Sequence, residues 1–102
     1  MKNLTDNELR RHLTSEAGQI PWHELQRYFA RGVVINVALQ MDLVEVAAKF
    51  IQDDKIAVKA WLNEGLIAYP TDDEARRWAN SDLIFLAVVT APWVLIKEIP
   101  VQ

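Results

Sequence analysis

Between Asp42 and Tyr69 the chain carries two apolar repeats at helical spacing, a break at Asp53-Asp54, and then Gly65-Leu66-Ile67. In the first repeat Leu43, Val46, Ala47, Phe50 and Ile51 follow i, i+3, i+4, i+7, i+8, which places one apolar stripe along an α-helix. In the second, Val58, Trp61 and Leu62 form the inner face, and Gly65 supplies the stop. Leu66 to Tyr69 is a short strand that Pro70 ends. Two short helices with a tight joint, running into a strand, follow the plan of many winged-helix DNA readers. The segment therefore poses a functional question that the surrounding charges must answer.

The same punctuation organises the rest of the chain. Thr5-Asp6-Asn7-Glu8 is a capping box with Leu4 and Leu9 spaced as a hydrophobic staple, so a helix is predicted from about Asp6. Leu9, Leu13 and Ala17 form its inner face and Gly18 its stop. Ile20-Pro21 restarts the chain into a second helix with Trp22, Leu25 and Phe29 inward, ended by Gly32. Val33 to Val37 is β-branched and short, a strand. Thr71-Asp72-Asp73-Glu74 opens a further helix with Ala75, Trp78 and Ala79 inward. Leu83–Thr90 and Trp93–Ile99 are two strands joined across Ala91-Pro92, most simply as a hairpin. The predicted order is ααβααβαββ in one compact domain over residues 1–102: an α+β fold of about five helices on a small, mostly antiparallel sheet.

Composition narrows the function classes. The 102 residues carry 11 basic and 14 acidic side chains, a net charge of −3. Nucleic-acid binders draw much of their affinity from clustered Lys and Arg, whereas the basic residues here are interleaved with acids. There is no cysteine, which excludes disulfides, thiolate catalysis and zinc–thiolate sites within this sequence. The first residues lack the apolar stretch of a secretory signal, and the run Leu83–Ala91 is too short for a transmembrane helix. The expectation is a soluble cytoplasmic protein.

No group of residues announces chemistry. His12 and His23 fall on different helices without the spacing of a metal site, so they are read as solvated or half-buried helix histidines. Asp53-Asp54 and Asp72-Asp73-Glu74 stand where helices begin, where free N–H groups and the positive dipole end favour carboxylates. All three glycines are placed as helix stops, which leaves no glycine-rich phosphate loop. Arg27 and Arg31, one turn apart, are spaced to share an anion, but a solvated helix face is the preferred reading. No catalytic, metal or cofactor residue is assigned. Three of the four tryptophans, Trp22, Trp61 and Trp78, lie on inner helix faces. Trp93 opens the last strand, on what the order suggests is a sheet edge, and with Val94, Leu95 and Ile96 it forms the candidate interface.

As a winged helix the chain departs from the pattern. A capped helix stands where the wing should be, and the hairpin tip at Thr90-Ala91-Pro92 has no base to reach a phosphate. The would-be recognition helix offers Lys55 and Lys59 but is headed by Asp53 and Asp54, which would repel a duplex. DNA contact through Lys55 and Lys59 is thus the alternative reading.

Ile20-Pro21-Trp22, Glu24-Leu25-Gln26-Arg27, Phe29-Ala30-Arg31-Gly32, Asp42-Leu43-Val44-Glu45-Val46-Ala47, Asp53-Asp54, Trp61-Leu62 and Ala91-Pro92-Trp93-Val94-Leu95 together span nearly the whole chain. On these pieces the sequence resembles a family of short bacterial proteins known as domain of unknown function 2288. The resemblance implies a free-standing bacterial domain, complete as given, and brings no catalytic residue or cofactor with it. The leading expectation is a non-catalytic interaction module, a homodimer or an accessory subunit of another protein, with no membrane partner.

Overall fold

The computed structural model describes residues 5–81 and 83–99. The order is α1 (Asp6–Glu16), β1 (Gly18–Pro21), α2 (Trp22–Ala30), β2 (Val34–Val37), α3 (Leu43–Ile51), α4 (Lys55–Glu64), β3 (Ile67–Ala68), α5 (Asp72–Ala79), β4 (Ile84–Thr90) and β5 (Trp93–Glu98). The strands make one mixed sheet in the order β1-β4-β5-β2-β3. β4 and β5 form the expected antiparallel hairpin, β1–β4 and β2–β3 are antiparallel, and β2–β5 is the single parallel pair. This is the expected α+β fold, with five helices on a mostly antiparallel sheet.

Alternation along the strands divides the core into two. Ile35, Val37, Val88 and Leu95 face Leu9, Leu13, Leu43, Val46 and Ala47, so α1 and α3 cover one side. Val34, Phe85, Ala87, Val94 and Ile96 pack with Leu25 and Trp78, so α2 and α5 cover the other. Both faces of the central strands are therefore dry. Such a strand is recognised by an unbroken apolar run rather than by alternation.

That rule corrects one expectation. Trp93–Ile96 does not lie on an edge: β5 is the middle strand, flanked by β4 and β2, and Val94, Leu95 and Ile96 are buried. The consecutive apolar residues Val94-Leu95-Ile96 are the trace of burial on both sides, which an edge strand would not need. The real edges are β1 and β3. β1 was not anticipated, because four residues ending in proline carry little strand propensity of their own. Pairing of Gly18–Pro21 with Ile84–Ala87 makes it a strand. Gly18 is accordingly a strand residue and not a helix stop, whereas Gly32 and Gly65 do end their helices in the left-handed region, each at φ +74°.

The caps follow the sequence. Thr5 accepts from the Glu8 N–H, and Asp42 from those of Val44 and Glu45. Thr71 and Glu74 close a full reciprocal box. The Leu4 half of the expected staple lies outside the described residues. Among the described residues no helix is long and apolar enough to cross a membrane.

Candidate functional site

The chain reverses between α3 and α4 in only three residues, and this reversal shapes the site. Asp53 takes the left-handed conformation at φ +54°, which aspartate tolerates better than most side chains. Asp54 then caps α4, its Oδ1 accepting from the Ala57 N–H at 3.0 Å, while Oδ2 lies 3.6 Å from the Lys49 ammonium. Only one of this acidic pair caps; the other makes the turn.

The helix that follows is held by one side. Val58 and Trp61 are half-buried against the α1–α3 core, but α4 has no fully buried residue. Leu62, expected on its inner face, is exposed, as is Ile51 at the end of α3. A groove of about 180 Å³ remains between α4 and the β2–β3 side of the sheet. Ile35 and Ile67 lie at its base, Val58 and Leu62 on the helix wall.

Three aromatic rings complete the lining. Trp93 stands in the middle, its ring centre 6.4 Å from Phe50 at 74° and 6.0 Å from Tyr69 at 58°. Rings so inclined make a concave wall instead of a closed stack. The rim carries two bases and two acids, Lys49 with Asp54 and Lys55 with Asp53, the latter pair 4.0 Å apart and open to solvent. The groove thus has an apolar floor and a charged, internally neutral rim.

The other sequence candidates stay apart. His12 and His23 are exposed on α1 and α2, and among the described residues no three His, Asp or Glu side chains are placed to hold a metal ion. Asp72, Asp73 and Glu74 head α5 on the opposite side of the sheet: Asp73 pairs with Arg76, and Glu74 accepts from Asn36 at 3.3 Å. Arg27 folds over Tyr28, 4.9 Å from the ring centre, and donates to its hydroxyl, while Arg31 is exposed. Lys55 and Lys59 are both exposed on α4. Of the four interface candidates, only Trp93 reaches a concave surface.

One carboxylate has a built environment. Glu98 accepts two bonds from the Arg77 guanidinium, at 2.9 and 3.1 Å, and one from the Trp78 indole N–H at 3.1 Å. The Arg77 bonds hold the Glu98 carboxyl below the usual carboxylate range, against the opposing effect of burial; Arg77 itself is held protonated more firmly by the same contact. The carboxylate is fully engaged in tying α5 to β5, a structural task.

Sequence reasoning missed Phe50 and Tyr69 as ring partners of Trp93, and Lys49 as a residue of the same groove. Their separation along the chain hides the grouping. The available signal was Tyr69, a large aromatic side chain placed between a very short strand and a proline.

The family model described as a protein of unknown function, DUF2288, matches residues 8–98, so the chain belongs to that family. No curated protein matches it. Among solved structures it is similar to the NMR solution structure of PA1075 from Pseudomonas aeruginosa, with 40% identity and a TM-score of 0.79. The likeness covers 99% of this chain and 93% of that one. These findings support the fold and carry no activity with them.

Proposed function

We propose that this chain is a non-catalytic interaction module of the cytoplasm, and that its working surface is the α3–α4 groove. The observation that carries the reading is the placement of exposed apolar area. Among the described residues seven large apolar side chains are exposed, and four of them, Ile51, Ile56, Leu62 and Tyr69, lie on α3, on α4 or just after β3. Leu62 and Tyr69 line the aromatic hollow, and Ile51 and Ile56 lie on the two helices that flank it. Scattered singly such residues need no explanation, whereas grouped on neighbouring elements they favour contact with a protein surface. Several carboxylates, in contrast, have local structural tasks: Asp42, Asp54 and Glu74 in caps, Asp53 in a turn and Glu98 in the bridge to Arg77.

In-cell cross-linking of a tagged chain, followed by purification under denaturing conditions, tests this. A discrete cross-linked species that disappears when Tyr69→Arg fills and charges the groove is the expected result. An unchanged cross-linking pattern contradicts it, and so does a small molecule or metal retained stoichiometrically in native mass spectrometry.

The two exposed lysines of α4, Lys55 and Lys59, favour DNA contact as a second reading. It ranks lower because Asp53 lies beside Lys55. Anisotropy titration on duplex DNA should show salt-sensitive binding if it holds, and none if it does not.

A further inference from the structure

We propose that the partner is a second copy of this chain: two copies meet about a twofold axis at the α3–α4 corner, with Tyr69 of each seated in the other's groove. The inference rests on the interaction-module reading and names the occupant of its groove.

A twofold interface uses the same patch twice, so the patch must contain both a projection and a recess that accepts it. This corner has both. Tyr69 is 55% exposed, the single aromatic side chain among the described residues to rank as exposed and large. The recess beside it measures about 180 Å³, and a cavity of roughly 150 Å³ already admits a benzene ring. Because Tyr69 is also a wall of its own groove, projection and recess lie within reach of one axis.

The rim supplies the argument for a copy over another occupant. Asp53 and Lys55 are 79% and 85% exposed, two residues apart, and only loosely paired at 4.0 Å. A twofold axis that passes between the two residues, across the line joining them, sets acid against base and base against acid, and in that arrangement the patch is complementary to itself. A patch of one sign would repel its copy, and a polyanion would be repelled by Asp53.

Extension of the sheet is a poor route to the same dimer. β1 ends in Pro21, and β3 is two residues long with Pro70 close behind, so both edges are blunted against main-chain pairing. Side chains must make the contact.

Sedimentation velocity on purified chain over a range of concentrations tests the interface. Wild type should dimerise, and Tyr69→Arg should weaken association by about tenfold or more, as loss of a central aromatic anchor does. Val89→Arg, at an exposed apolar position outside the corner, should leave it intact. Asp53→Lys makes the corner doubly positive and Lys55→Glu makes it doubly negative. Each alone should be monomeric, and an equal mixture should recover a heterodimer. Circular dichroism confirms that each variant is folded. A monomeric wild type at every concentration overturns the twofold interface, while the module reading is still judged by its own cross-linking result. A dimer indifferent to Tyr69→Arg and to both charge reversals overturns the interface as well, and the association then lies elsewhere on the surface.

Discussion

Under α2 and α5 the sheet is closed by aromatic rings packed on one another; at α4, on the opposite side, rings of the same kind stand around a hollow. Trp78 lies 5.0 Å from Phe85 and 5.7 Å from Trp22, and Trp22 lies 5.8 Å from Phe29. Trp78 and Phe85 are wholly buried, and the Trp78 N–H is satisfied by Glu98. Near α4, Trp93 is half-buried and Tyr69 exposed, with Asp53 and Lys55 only loosely paired at the rim. The contrast teaches that aromatic content does not decide whether a region is core or surface. What decides it is whether the neighbouring helix sinks a side chain fully into the core: α5 does so with Trp78, although Ala79, also expected inward, is exposed, whereas α4 buries no residue completely.

Substitutions should separate the two regions, the largest effect coming first. Phe85→Ala should cost about 3–5 kcal/mol by chemical denaturation, because it empties a site packed on every side. Thr71→Ala removes one half of the capping box of α5 and should cost about 1 kcal/mol. Tyr69→Ser should change stability by only about 0.5 kcal/mol in either direction, as expected for an exposed position, while reducing association. A large loss of stability from Tyr69→Ser would show that the groove is core and would break the comparison.

The pH dependence sharpens it further. Glu98 has a lowered folded-state pKa, so its bridge stabilises the fold above the unfolded carboxylate value of about 4.3. That contribution should fade as pH falls below this value and through the lower folded one. Glu98→Gln should flatten the acid limb of the stability curve in this window. An unchanged acid limb would show that the Arg77 contact does not persist in solution.

Much of the fold was legible in the sequence, and for stated reasons. Thr5, Asp42 and Thr71 marked helix starts because a side-chain oxygen is needed for unpaired N–H groups there, and the stripe of α3 marked the core. β1 was not legible, because its pairing with β4 comes from residues more than sixty positions later in the chain. The central place of β5 was legible in principle from Val94-Leu95-Ile96, but its position near the chain end suggested an edge. The groove was the least legible part. It depends on how far α4 stands from Trp93, and local periodicity does not encode that distance.

Amide hydrogen exchange at low and high protein concentration tests the central claim most directly. The account predicts protection that rises with concentration across residues 50–69 and stays constant in α2 and α5. Concentration-independent exchange in both regions, or protection gained on the α2–α5 side instead, would contradict it.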